Sequence, residues 1–466
     1  MMAGTTTDVV GLAKDRPTVL SRLFRPVDIA SLVFIRIAFG TILLWHLREL
    51  FQSGAIDALY DSDQFHFRYL GFNWVHPWPE PGMRLHFAAL SVLAACIVLG
   101  LFYRYAALLF CVGFTYVLLL DRTAYHNHYY LIILLSGILA VVPAHGSFSL
   151  DVCWRPKLRL SVVPVWMLWL VRFQVGIVYV YSGFAKLEQD WIIRLQPVRL
   201  LLARETDFPI LGAFFREEWM IALFSYGGLA FDLLIIPLLL WRPTRTFAFL
   251  VAIGFHLLNV LLFDIGIFPW LMIALTTIFF EPSWPRRFLF WQAAAKRCKG
   301  VPNGLANPTA ETNFAGQWWT LAFLAVYVTT QLLIPLRHHL YPGNPNWTEE
   351  GQNFSWRLMH RVKACRDVVF VASSPAAQRT WHIRPPTSLT EKQVIRMSGH
   401  PDLILEFSHF LANEMRAAGY EDVQIRALTS VSLNGREQQP LLAPDTDLAM
   451  QHRSWRHQPW ILPLEP

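Results

Sequence analysis

The sequence predicts a polytopic α-helical membrane protein, eight or nine transmembrane helices followed by a C-terminal α+β extramembrane domain, and three observations carry that prediction. Of the 466 residues 54% are hydrophobic and 16% charged, where a soluble chain carries roughly a quarter charged residues. The deficit is uneven: apolar runs fill most of the chain up to about residue 336, and the last 130 residues have an ordinary composition. The basic residues of the first part gather in short loops between alternate apolar runs, which is an orientation signal. The formal charge of +7 therefore argues for membrane orientation and against a nucleic-acid partner.

This organisation divides the chain into a polar, basic segment (1–28), a transmembrane domain (29–336) and an extramembrane domain (337–466). The first segment has no apolar core of the kind that marks a cleavable signal. A span takes about 20 apolar residues, and candidates lie near 29–47, 84–102, 104–120, 129–144, 162–186, 221–240, 245–263, 265–280 and 317–336. The fourth is short and the seventh and eighth are nearly fused, hence eight or nine. Nine spans with the N-terminus inside put Lys14 to Arg25, Arg104, Arg155, Lys157, Arg159, Arg242 and Arg286 to Lys299 on the inner side. The outer loops mix acids with their bases, so the positive-inside rule places the N-terminus in the cytoplasm and the C-terminal domain on the outer (periplasmic, extracellular or lumenal) side. Outer segments such as Phe72 to Pro79 carry aromatic residues suited to the lipid–water interface.

In the last part, Asp367 to Ala372 reads as a strand, and Ser388-Leu389-Thr390-Glu391 as a capping box opening a short helix. Pro401 to Ala418 is helical, with Pro in its first turn and Gly419 as the stop. Val423 to Leu433 alternates like a strand and ends at the hairpin signal Asn434-Gly435. Asn346-Trp347-Thr348 is a glycosylation triplet on the outer side.

Two clusters flank the fourth and fifth spans: Asp121 to Tyr130 at one end and Tyr181 to Trp191 at the other. If the chain enters at the first and returns at the second, His128 and Lys186 meet at one face. Ionisable groups at the edge of a hydrocarbon slab are costly, so they are read first as functional. Lys186 follows the small residues Ser182, Gly183 and Ala185, which permit close helix packing. By itself such a lysine snorkels to the headgroups. With Glu188 and Asp190 as counter-charges, a partly buried amine is instead suited to take a proton from a phenol-like group. Within the spans lie Arg36, Arg172, Gln174, Asp232 and His256. Buried charges persist when paired, so Arg172 with Asp232 is the expected structural pair, while His256 either lines a cavity or is a satisfied core histidine. The chain has no nucleotide-binding glycine loop, no His-Glu-x-x-His and no Gly-x-Ser-x-Gly elbow, and its five cysteines have no metal-like spacing. The expected chemistry is acid–base, with no metal.

Leu120-Asp121-Arg122-Thr123, Asn127-His128, Arg172-x-Gln174, Gly183-x-x-Lys186-Leu187 and Asp190-Trp191 together resemble vitamin K-dependent gamma-glutamyl carboxylase. So do Phe255-His256 with Asn259, Ile265-Gly266-x-Phe268, Asn346-Trp347-Thr348, Phe354-Ser355-Trp356, Val431 to Arg436 and Asp445-x-Asp447. The resemblance runs from about Arg22 to the last residues. It implies an enzyme that oxygenates reduced vitamin K, or a related quinol, with O₂, and uses the strong base so generated to carboxylate protein glutamate with CO₂. It also implies Lys186 as catalytic amine and His128 as the group that stabilises the glutamyl carbanion. Substrate binding is implied for Asn127, Tyr125, Trp356, Met359, His360, Arg361 and His256. The implied partners are membrane lipid, quinone and a glutamate-containing protein or peptide. The chain departs from the family where paired lysines become Ala185-Lys186, where an aromatic four before Trp356 becomes Gln352, and where Arg361 beside His360 replaces a histidine. These changes gather on the glutamate side. The alternatives are a quinol epoxidase without protein carboxylation and a non-catalytic receptor or transporter on the same scaffold.

Overall fold

A computed structural model describes residues 19–60, 64–263, 265–288, 314–366, 368–385 and 389–465. Residues 1–18, the basic residues 296–299 and Ser388 lie outside the described residues. The apolar helices are α1 (Ala30–Gln52), α2 (Gly82–Leu99), α3 (Tyr103–Leu120), α4 (Asn127–Val141), α5 (Val165–Ala185), α6 (Glu218–Leu240), α7 (Arg245–Leu262), α8 (Phe268–Thr276) and α9 (Phe314–Leu333). Each coincides with an expected span, but only seven are long and apolar enough to cross a membrane. The shorter two are α4 and the stretch Phe268–Phe279, in which α8 runs into a 3₁₀ turn. Pro143 follows α4 directly and Gly266, at φ 63°, precedes α8. Proline cannot extend a helix and a left-handed glycine cannot open one. The irregular backbone after α4, residues 142–146, is buried in protein, which is where such backbone is tolerated at membrane depth.

Contacts at the helix ends sort into two groups. At one end, β1 (Pro26–Asp28) pairs antiparallel with β2 (Val162–Pro164), and Arg286 reaches Asp28 at 2.7 Å. There too the Asp151 carboxylate accepts the Phe102 and Tyr103 amides at 2.8 and 3.0 Å. Arg172 belongs to this end: it donates to the Ile278, Phe279 and Phe280 carbonyls, which close the stretch after α8. At the other end lie the loops 64–81, 121–126 and 186–217 together with the whole C-terminal domain. Successive apolar helices run between these two ends in alternating directions.

The C-terminal domain contains the antiparallel sheet β5-β4-β6, built from Arg379–Ile383, Val369–Ser374 and Gln424–Leu428. A second pair joins β3 (Lys363–Cys365) to β7 (Val431–Leu433). Helices α10 (Glu391–Ser398) and α11 (Pro401–Ala417) cover the sheet. Alternate residues of β4 point inward, and Phe370 and Ala372 pack with Ile404, Phe407, Ile425 and Ala427. Phe67, from the loop after α1, is fully buried in the same core, so this domain and the outer loops share one apolar interior. The sequence expectations shift in two places. The capping box of α10 is formed by Thr390 with Gln393, because the Thr390 hydroxyl reaches the Gln393 amide. The single strand expected over 423–433 is two, β6 and β7, which pair with different partners.

Candidate functional site

Close packing of α5 against α6 sets the first part of the site. A Cβ at Gly183 would meet Leu233 Cδ2 at 2.6 Å and the Leu233 amide at 3.3 Å, so the two backbones touch where only hydrogen fits. That approach brings Asp232 of α6 to the end of α5. Lys186 Nζ lies 2.6 Å from Asp232 Oδ2, 2.7 Å from Ser182 Oγ and 3.3 Å from the Ser182 and Leu358 carbonyls. Ser182 Oγ donates to the same carboxylate oxygen at 2.7 Å. The indole of Trp191 closes another side, 5.1 Å from the ammonium. This overturns two expectations. Asp232 pairs with Lys186 and not with Arg172, whose guanidinium is satisfied by carbonyls at the opposite end of the bundle. Glu188 and Asp190 do not serve Lys186 either, because they turn outward to the C-terminal domain. Asp190 accepts two 2.6 Å hydrogen bonds from Arg436 and one of 2.9 Å from Asn434. Burial works against the Asp190 charge, but these hydrogen bonds outweigh it and hold the carboxyl below the usual range.

One turn and two turns back from Lys186 on the same face of α5 stand Ser182 and Tyr179. The Tyr179 hydroxyl is 2.7 Å from His256 Nε2 of α7, and both residues are buried. His256 faces Phe268 at 6.3 Å, and Phe268 faces His128 at 6.5 Å. His128 stacks on His126 at 5.0 Å, and Tyr129 stands edge-on to both. His46 of α1 joins the group 5.6 Å from the Tyr129 ring. A band of aromatic and imidazole rings therefore runs from the start of α4 across α8 to α7 and α5.

The loop from Asn344 to Arg361 joins the two halves. Tyr125 Oη accepts the Phe354 amide at 2.7 Å and donates to Asn127 Oδ1 at 2.9 Å, and Asn127 Nδ2 donates to the Arg357 carbonyl at 3.5 Å. Trp356 is fully buried and stacked on Tyr130 at 4.9 Å. One residue past Arg357, the Leu358 carbonyl receives Lys186. The start of α4 and the end of α5 thus hold the same short segment. Its backbone is left-handed at Glu349, Phe354, Trp356 and Met359 (φ 65°, 61°, 56° and 47°). Such conformations in non-glycine residues cost energy and gather at functional sites.

Around this loop the polar groups are densely paired. Asn346 Nδ2 donates to both Glu188 oxygens at 2.9 and 3.0 Å, while its Oδ1 faces Arg357 and His360. Asn346 is fully buried with its amide fully engaged, which removes it as a glycan acceptor. Arg361 and Lys363 both bind Glu349, which their charges hold well below the carboxylate range against the cost of burial. His360 is kept neutral by burial and then by Arg357 and Arg361. Gln352 and Arg357 point N–H groups at His360 Nε2, and the Asn346 amide oxygen faces the same nitrogen. Among the described residues neither His360 Nδ1 nor Trp356 Nε1 has a hydrogen-bond partner, and the indole N–H is a donor left without a protein acceptor. Met359 is half-buried between them in sequence. A groove of about 590 Å³ opens beside Glu188 and Arg357, between the end of α5 and residues 336–345.

Sequence reasoning missed Tyr179, Ser182, Asp232 as the lysine's partner, His46, His126 and Arg357. The spacing Tyr179, Ser182, Lys186 was a readable signal, since three and four residues make one helical face. The Asp232 contact was not readable, because it depends on how closely two helices approach.

Membrane helices that carry a buried amine–carboxylate pair at one end, capped there by an α+β domain, define a polytopic membrane protein with its candidate site where bundle and domain meet. Residues 24–284 match the HTTM domain family, and residues 316–466 match the vitamin K-dependent gamma-carboxylase lumenal domain. The chain belongs to the vitamin K-dependent gamma-glutamyl carboxylase family, as an integral membrane protein with a lumenal-type C-terminal domain. No solved structure matches it.

Proposed function

We propose that the protein oxygenates a reduced quinone of the vitamin K hydroquinone type and couples that oxidation to carboxylation of a protein glutamate. The observation that carries this reading is the Lys186–Asp232 pair, sealed beneath the Leu358 carbonyl of the segment that also binds Asn127. The residues fit an aromatic, phenolic group: Phe268, Tyr129 and Phe231 (of α6, 5.7 Å from Tyr179 and 6.0 Å from His256) offer rings, and Lys186, His128 and the Tyr179–His256 couple offer polar edges. A bound quinol, with O₂, supplies the oxidising chemistry and a base stronger than any side chain.

The protein's own part is acid–base and positional. Lys186 takes a phenolic proton at Nζ when the proton it shares with Asp232 Oδ2 rests on the carboxylate. Ser182 holds that carboxylate in register. His128, fixed between His126 and Tyr129, polarises the reacting centre. Trp356 Nε1 is a donor for the substrate's carbonyl or carboxylate oxygens, with His360 Nδ1 as a second polar group beside it, and Tyr125 and Asn127 fix the loop that carries them. Residues 29–336 act as the membrane domain and 337–466 as the outer one, since Arg337 is the first side chain after α9 to bind that loop, at the Asn353 carbonyl. The basic end of the bundle faces the cytoplasm. Purified protein given vitamin K hydroquinone, O₂ and labelled bicarbonate should form epoxide and fix label into a glutamyl peptide. Epoxide without fixed label would favour the epoxidase reading, and neither product would favour a non-catalytic scaffold.

A further inference from the structure

We propose that the inner end of the helix bundle binds a small monovalent inorganic anion, such as chloride, through Arg36, Tyr103 and His145. This is the end opposite Lys186, where β1 pairs with β2. Arg36 of α1 is fully buried. Its Nη2 donates to the Phe148 carbonyl, but Nε and Nη1 have no hydrogen-bond partner among the described residues. No carboxylate among those residues pairs with it. The oxygens of Asp151, on the adjoining loop, are taken up by the Phe102 and Tyr103 amides at 2.8 and 3.0 Å. A guanidinium removed from water is costly unless an opposite charge matches it.

The backbone is built to bring other groups to this cation. Gly100 ends α2 in the left-handed conformation (φ 62°), and a Cβ there would overlap both Arg36 Nη1 and Ser149 Cβ. The Ser149 hydroxyl donates to the His145 carbonyl, and the His145 ring lies 5.1 Å from that of Tyr103. Tyr103 Oη and His145 Nδ1 are buried and, among the described residues, also have no hydrogen-bond partner. Native proteins rarely leave one buried polar atom unmatched. Here four belong to three side chains gathered around Gly100 and Ser149. An anion accepts from every one of them: two guanidinium N–H groups, a phenol and an imidazole N–H. Burial lowers the His145 pKa, with Asp151 opposing and the Arg104 and Arg36 charges adding, so the ring is neutral and the cluster carries the single charge of Arg36. That charge selects a monovalent ion. Complete burial of Arg36 and Tyr103 leaves no approach for a headgroup tethered to lipid chains.

The test uses the full-length protein in detergent, exchanged from chloride into gluconate at constant ionic strength. Chloride added back should raise the Tm of the wild type saturably. Radiolabelled chloride should bind and be displaced by bromide, and R36M should lose both responses. Tyr103→Phe keeps the proposal testable even if R36M does not fold, because it deletes an oxygen that no protein group touches. Without an anion, losing an unmatched buried hydroxyl leaves the variant as stable as the wild type, or more so, in both buffers. With one, chloride affinity should fall roughly 10- to 100-fold, the loss expected for a hydrogen bond to a charged group, and the Tm should drop below wild type in chloride alone. A wild-type Tm indifferent to chloride, or an unchanged chloride affinity in Y103F, overturns the site. Stabilisation by phosphatidylglycerol that chloride does not reproduce overturns it too, and assigns the guanidinium to a lipid phosphate.

Discussion

Lys186 and Asp232 form a closed ion pair, 2.6 Å from Nζ to Oδ2, with 7% of each side chain exposed. Removing one partner strands the other charge, whereas replacing both with apolar groups of similar size does not. Asp232→Ala should therefore destabilise the protein by about 3–5 kcal/mol. The double variant Lys186→Met, Asp232→Leu should recover most of that loss while remaining inactive. Thermal unfolding in detergent checks the first claim and product formation the second. A double variant no more stable than Asp232→Ala would show that the stranded charge was not the cause.

The contact of Asp190 with Arg436 and Asn434 ties the end of α5 to the turn after β7. Arg436→Ala leaves a buried carboxylate unpaired, with a similar cost of about 3–5 kcal/mol. The loss should appear locally, as faster proteolysis or hydrogen exchange in β3 and β7, before the membrane helices respond. Equal protection of β7 in both proteins would deny the latch.

Fold and site were unequally legible in the sequence. Apolar length marked every membrane helix, and Pro401 and Gly419 bracketed α11 within a residue, because such signals are local. The small residues Ser182 and Gly183 foretold close packing, and Gly183 against Leu233 is where it occurs. What the sequence could not carry was the identity of partners across helices. Asp232 was matched to Arg172 because both lie within spans, yet depth decides the pairing, and Arg172 belongs to the opposite end of the bundle. Asn346 read as a glycan site from its triplet alone, while burial between Glu188 and Arg357 is a property of the assembled domain.

Asn346 should remain unmodified. Expressed in a glycosylating host, the protein and its Asn346→Gln variant should behave alike on glycosidase treatment, because both Asn346 Nδ2 hydrogens are committed to Glu188. A shift that disappears in Asn346→Gln would mean the loop folds only after modification.

Acidification should loosen the C-terminal domain well before its carboxylates titrate. Burial holds His400 near pKa 3, with Arg361, Lys363 and Arg396 reinforcing it against Glu349. Burial likewise lowers His126 to about 3 and His360 further. The unfolded chain takes up these protons near pH ~6.5 and the folded chain does not, so their stability contribution is complete above that pH and falls below it. By pH 5 each imidazole costs up to about 2 kcal/mol. Asp190 and Glu349, both held low, lose their contributions only below pH ~4. His400→Gln should flatten the stability profile between pH 6.5 and 5, as followed by chemical denaturation. An unchanged slope would mean that His400 is already protonated beside Glu349.

Substitution of Lys186 and of His128 should separate the two half-reactions. Lys186→Ala removes the proposed base for the phenolic proton, so epoxide formation and carboxylation should fall together, by the 10²–10⁴-fold typical of a general base. Lys186→Arg should not restore them, because a guanidinium keeps its proton at any workable pH. An exogenous primary amine has the right chemistry to rescue the truncated side chain. His128 lies on the far side of Phe268 from the Tyr179–His256 couple and stacks on His126 at the start of α4. His128→Ala should therefore spare part of the epoxide formation while carboxylate falls further, which raises the ratio of epoxide to fixed label. Assaying both products in one reaction gives that ratio directly. If folded Lys186→Ala keeps full epoxide formation, the amine is a structural partner of Asp232 and the base must be sought elsewhere along the band of rings from His46 to His256.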